Sequence, residues 1–282
     1  MTTTPGEARA TMRVPQRFWV GLAAAVLYVL VAAGLATLIT EWFPPRNEVE
    51  DFALGHFPVL IPLIIVGVLF VRQAGWSRDV WRTPAAFETR PRRWWMLAFP
   101  VLMLVQVVII LSTTPWGDRN AALALLILGV NLLVGIGEEL YFRGILRTSL
   151  RAHHGETVTL VATSLLFGFG HAFGSLLAGL PAAFIAIQVG GTALLGAAFY
   201  GVFRATGRLW VAIAFHAVND FALRISSGDL TSASASDLDP PAAAGVIQFA
   251  LWVLTLVLLI SCIRQDLRDR RERRSTPPTA VH

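Results

Sequence analysis

Long apolar runs separated by short polar stretches dominate the chain. Crossing the ~30 Å hydrocarbon core of a bilayer takes roughly 20 helical residues. Eight runs have or approach that length, at 18–40, 57–71, 94–112, 121–142, 157–173, 183–203, 209–224 and 242–263, the second and seventh being the shortest. The pattern predicts an all-α fold, a polytopic membrane helix bundle of about eight transmembrane helices. It divides the chain into an N-terminal segment 1–17, a membrane domain 18–263 with the polar motifs gathered in 121–224, and an arginine-rich tail 264–282.

Composition supports this reading, because a chain of 282 residues that is 55% hydrophobic and 15% charged is too apolar for a soluble domain. The basic residues set the orientation. With the N-terminus inside, the cytoplasmic segments collect Arg9, Arg13 and Arg17, Arg72 to Arg93, Arg143, Arg147 and Arg151, Arg204 and Arg208, and the arginines of 264–274. Only Arg46, Arg119 and Arg224 fall elsewhere, and the outer connections carry Glu41, Glu48, Glu50, Asp51, Asp229, Asp237 and Asp239. That asymmetry follows the positive-inside rule and places both termini in the cytoplasm.

The net charge of +5 then reflects topology and contact with anionic membrane lipid, not nucleic-acid binding, because the basic residues are spread over membrane-flanking loops. Every basic residue is arginine and alanine is abundant, which points to a GC-rich coding sequence and a bacterial plasma membrane. The first apolar run imitates a signal peptide but is longer than an h-region, so it reads as an uncleaved span. Cys262, the single cysteine, lies in the last span and leaves no disulfide framework and no cysteine metal site.

Ionisable residues inside spans are costly and mark candidate sites. They fall into three clusters. In GEELYFRG, Glu139 and Arg143 are four apart on one helix face with the acid first, a favourable pair that also reads as purely structural. Glu138 has no such local partner and shares a different face with Asn131, so it is the carboxylate free for proton transfer. In LLFGFGHAF, Phe167 and His171 are four apart, and Gly168 and Gly170 permit close approach by another helix, so His171 is expected in a packed seam. In AFHAVND, His216 and Asp220 share a face and can ligate a metal or form a carboxylate-oriented imidazole. Asn219 points about 100° away and reads as a neighbour. His56, His153, His154 and His282 are expected to be solvated, and Trp19, Trp42, Trp94, Trp95 and Trp210 to anchor span ends at the interface.

Taken in order, the three clusters resemble the motifs of the CAAX-processing and bacteriocin-processing (CPBP, Abi) intramembrane proteases: Glu-Glu-x-x-x-Arg at 138–143, Phe-x-x-x-His at 167–171 and His-x-x-x-Asp at 216–220. The resemblance covers 138–220. It implies an intramembrane endopeptidase with a polar chamber open to the cytoplasm, acting on a membrane-associated protein or peptide through either glutamate-activated water or a bound metal, usually zinc. Carried over, Glu138 activates water, His171 positions it, Glu139 and Arg143 form the supporting pair, and His216 stabilises the oxyanion. Asp220 stands where the eukaryotic pattern often has asparagine. An ionised aspartate cannot donate to an oxyanion, so Asp220 is expected to orient His216 or, with Glu138, His171 and His216, to hold a metal. Two other classes fit the same residues: a proton-coupled transporter with Glu138, His171, His216 and Asp220 as relay, and a non-catalytic membrane scaffold. Discontinuous helices and an internal repeat would favour transport, and neither is evident.

Overall fold

The structure is a computed structural model that describes residues 13–275 apart from 233, 236, 237 and 239. The expectations for Arg9, Asp237, Asp239, His282 and the end of the tail lie outside the described residues. Eight long helices stand at the eight expected positions. They are α1 (Phe18–Trp42), α2 (Glu48–Ala74), α3 (Ala98–Ser112, entered through the 3-10 turn Trp94–Leu97), α4 (Ala121–Arg151), α5 (Glu156–Leu177), α6 (Ala182–Thr206), α7 (Leu209–Ser227) and α8 (Ala242–Ser275). Seven of them are long and apolar enough to cross a membrane, which makes the chain a multi-pass membrane protein. The exception is α7, a 19-residue helix whose His216, Asn219, Asp220 and Arg224 lower its hydropathy. Those four side chains are all buried in the bundle, so the other helices shield them from lipid.

Helix α2 starts nine residues earlier than the apolar run suggested. Asn47 caps it by accepting from the Glu50 amide at 3.0 Å, and Glu48, Glu50 and Asp51 occupy its first turn, where acids suit the helix dipole. Pro58 and Pro62 lie inside it, as bilayer helices tolerate. Helix α4 likewise continues past the predicted end to Arg151. Arg147 is therefore buried, its guanidinium 4.5 Å from the centre of the Phe203 ring, instead of marking a surface.

The arginine-bearing ends are tied to one another. The Arg13 amide donates to the Ala74 carbonyl at the end of α2, and the Thr83 amide to the Gly207 carbonyl ahead of α7. Asp266 of α8 accepts from the Glu156 and Thr157 amides at the start of α5 at 2.8 and 2.9 Å. At the opposite end, Arg119 donates to the Ile225 carbonyl at 2.8 Å and Arg224 to the carbonyls of Asp229 and Ser232. The Asp229 carboxylate, held down at about 2 chiefly by the Ser232 hydroxyl, stays ionised and pins this turn.

Two glycines set the helix spacing around the site. A Cβ on Gly135 would sit 3.1 Å from both the Ile213 carbonyl and the Ala217 amide, so α4 and α7 touch backbone to backbone. A Cβ on Gly168 would sit 2.5 Å from the Val189 carbonyl, which fixes α5 against α6. Gly168→Ala is expected to cost about 1–3 kcal/mol through this overlap, outweighing the ~1 kcal/mol by which alanine favours a helix. A thermal unfolding temperature in detergent at or above wild type would show that the two helices are not held this closely.

Candidate active site

Glu138 and Glu139 end the regular α portion of α4, and the chain then widens into a π segment, Leu140–Leu146, with every residue buried. Such π insertions recur at functional sites because they re-aim side chains within a continuous helix. Here Arg143 is turned onto Glu139: its Nη1 lies 3.0 Å from Glu139 Oε1, and both side chains are fully buried. Arg143 Nη2 also donates to the Gly196 carbonyl at 2.7 Å, and the guanidinium stacks 4.1 Å from the Phe167 ring centre. A Cβ on Gly196 would lie 2.9 Å from that same nitrogen, so α6 leaves just enough space for the cation.

Glu139 has a second role that spacing within α4 did not reveal. Its Oε1 accepts from His216 Nδ1 at 2.9 Å across the α4–α7 contact. Glu139 therefore shares with Asp220 the task of orienting His216, which the sequence pattern assigned to Asp220 alone. Asp220 Oδ2 instead faces the other nitrogen, Nε2, at 3.3 Å, and Glu138 Oε2 faces it at 3.5 Å. Asn219 Nδ2 lies 3.3 Å from Asp220 Oδ1 and donates to it, so it is a neighbour in the network. Carboxylates against both ring nitrogens match an imidazolium, which donates from both.

His171 departs from the packed-seam expectation. Gly168 does pack closely, but the imidazole is part-exposed and lines a cavity. Its Nδ1–H donates to the Phe167 carbonyl at 2.9 Å, which leaves Nε2 as the acceptor, 3.9 Å from Glu138 Oε1. Glu138, His171 and Asp220 all line this cavity of about 490 Å3, whereas His216 is not on its wall. The structure therefore brings all six expected residues together, with Glu138, His171 and Asp220 reaching open space and Glu139, Arg143 and His216 behind them.

Three wall residues had no assigned role. Tyr28 of α1 is buried, stacks on Tyr141 at 4.6 Å between ring centres, and lines the cavity with Glu138. A Cβ on Gly137 would lie 2.6 Å from its hydroxyl oxygen, so glycine beside the Glu pair admits the phenol. His56, expected to be solvated, sits half-buried inside α2, donates from Nδ1 to the Phe52 carbonyl at 2.7 Å and faces the cavity. Arg224, which closes the seventh apolar run and lies away from the cytoplasmic arginines, is buried in α7 with its guanidinium 4.9 Å from the Phe52 ring centre. His153 and His154 are exposed, as expected.

The donor set Glu138, His171, His216 and Asp220 is chemically suited to zinc. Its arrangement is not, because no group of three or more His, Cys, Asp or Glu side chains among the described residues is placed to hold one ion. No catalytic step is therefore routed through a metal.

The cavity reaches the surface where α1 and α5 end and α2 begins, past Thr37, Thr40, Asp51, Leu177 and Ala178. This is the arginine-poor end. The resemblance implied a chamber open to the cytoplasm, which under the positive-inside reading would be the other end. No curated protein and no solved structure matches the chain. Residues 120–222, the stretch from α4 to α7 that holds every motif residue, match the family of type II CAAX prenyl endopeptidases, Rce1-like, in agreement with the resemblance carried by the motifs.

Proposed function

We propose that the protein is an intramembrane endopeptidase in which Glu138 activates water for hydrolysis of a peptide bond in a membrane-associated protein or peptide. The observation that carries this reading is the division of labour between adjacent carboxylates. Glu139 is committed to Arg143 and His216, whereas Glu138 lines the cavity with an imidazole acceptor beside it. The 3.9 Å between Glu138 Oε1 and His171 Nε2 is too long for a direct hydrogen bond and suits a shared water.

In this reading Glu138 takes a proton from that water as its oxygen attacks the scissile carbonyl carbon. The tetrahedral oxyanion accepts from the Tyr28 hydroxyl, a neutral donor on the wall beside Gly137 and so next to Glu138. Glu138 returns the proton to the amide nitrogen, the C–N bond breaks, and the products are a carboxylate and an amine. His216 and Asp220 act as positioning residues that hold Glu138 in place. The arginine-side half of the bundle is packed with Phe199, Tyr200, Phe203 and Leu146, all fully buried, which favours a blind reaction chamber over a transport path.

In native membranes Tyr28→Phe is expected to lower the cleavage rate by roughly 10²–10³-fold, the usual cost of an oxyanion donor, with normal protein abundance, and metal chelation is expected to leave the wild-type rate unchanged. Abolition of cleavage by chelation, restored by added zinc, would overturn the water-only chemistry. An unchanged rate in Tyr28→Phe would remove the phenol from the mechanism.

A further inference from the structure

Two independent observations fix the side from which the chamber is reached. The first is where its wall residues lie. From Glu138 the cavity runs to the last residues of α1 at Thr37 and Thr40, the first turn of α2 at Asp51, the end of α5 at Leu177 and Ala178, and the turn after α7 at Ser232. Among the described residues, none from the opposite end of the bundle lines the cavity. Between Glu138 and that end stand the fully buried Leu140, Arg143, Leu146 and Phe203.

The second is charge. The end that the cavity avoids bears Arg13, Arg72, Arg82, Arg92, Arg208 and the arginines at the close of α8. Hydrogen bonds join these segments into one face, as described above. In a plasma membrane an arginine-rich face of short loops stays in the cytoplasm. Glu138 lies 13 residues before Arg151, roughly 20 Å from the arginine-rich end at 1.5 Å per residue. A cytoplasmic polypeptide would have to cross packed protein to reach it.

We infer that the chamber opens on the extracytoplasmic side and that the substrate is an exported or membrane-anchored polypeptide presenting an extended segment from the outer half of the bilayer. This rests on the proteolytic reading of the site but reverses the direction of access that the family resemblance implies. A lipidated C-terminus exposed only to the cytoplasm is then not a substrate. The wall offers small side chains on α1 and α5, Ala32, Ala33 and Ala36 with Gly170 and Gly174, which leave width for a polypeptide backbone, and the Thr37 hydroxyl, which donates to the Ala33 carbonyl and keeps its oxygen free to accept from a backbone amide.

The test uses the full chain in its own membrane. Cys262, the single cysteine, is buried and can be replaced in a Cys262→Ser background. Thr40→Cys places a thiol at the mouth and Arg92→Cys places one on the exposed arginine-rich face. With a charged, membrane-impermeant maleimide, Thr40→Cys is expected to label in intact spheroplasts and Arg92→Cys only in inverted vesicles. Outside labelling of Thr40→Cys with a bulky reagent is expected to stop Glu138-dependent cleavage. Ser232→Cys serves as the mouth probe if Thr40→Cys does not accumulate.

Labelling of the mouth thiol only in inverted vesicles would overturn the inference. So would cleavage that continues unchanged after the mouth is blocked. The labelling pattern does not depend on catalysis. An absence of Glu138-dependent products in every arm would therefore sink the proteolytic reading while the labelling still reports which way the chamber faces.

Discussion

Replacing Glu138 by glutamine is expected to lower peptide-bond hydrolysis by roughly 10²–10⁴-fold, the usual contribution of a positioned general base, while the protein accumulates and unfolds as wild type does. The two halves of this expectation have separate grounds. Glutamine keeps the size of the side chain but cannot take a proton from water. Stability is spared because Glu138 faces the cavity and its imidazole neighbours stand at 3.5 and 3.9 Å, so no tight ion pair is broken. Removing a carboxylate charge from an apolar setting is also not costly in itself. Cleavage and abundance measured on the same membranes separate the two. Loss of the protein along with the activity would mean that Glu138 is structural.

Arg143→Met should behave in the opposite way, with loss of folded protein dominating loss of rate. Arg143 and Glu139 are both fully buried, and removing the arginine leaves the Glu139 carboxylate with His216 but without its guanidinium, at a cost of up to about 3–5 kcal/mol. Arg143→Lys is expected to rescue only part of this. A lysine cannot at once reach Glu139, donate to the Gly196 carbonyl and stack on Phe167 as the planar guanidinium does. Glu139→Gln combined with Arg143→Met should recover stability relative to Arg143→Met alone, because no unpaired charge remains, but without recovering activity, because His216 loses its carboxylate at Nδ1. A double-mutant cycle on unfolding temperatures measures the coupling. Strictly additive losses would show that the pair does not interact in the folded protein.

The helices were legible because each is an apolar run of bilayer length, and the error fell where that signal is weakest. The first turns of α2 are acidic and capped by Asn47, so hydropathy alone began the helix late and left His56 outside it. In α7 the site residues themselves dilute the apolarity. The gathering of Glu138, His171, His216 and Asp220 was legible from three motifs in order, although spacing along single helices could not show that they meet. The same i, i+4 reasoning paired Glu139 with Arg143 correctly and His216 with Asp220 incompletely. The partner of His216 Nδ1 sits on another helix, and the contact exists because Gly135 lets α4 and α7 touch. Tyr28 carried no signal in the chain, since a tyrosine in an apolar span reads as packing until α1 is laid beside α4. The direction of the chamber was equally hidden, because it depends on which ends of α1, α2 and α5 fail to close over Glu138.

Whether Glu138 makes this protein a peptidase is decided by comparing newly formed protein N-termini in native membranes that contain either the wild-type chain or Glu138→Gln at matched abundance. A set of membrane-proximal N-termini is expected with wild type and is expected to be absent with Glu138→Gln. Identical sets under several growth conditions would contradict a peptidase role for Glu138.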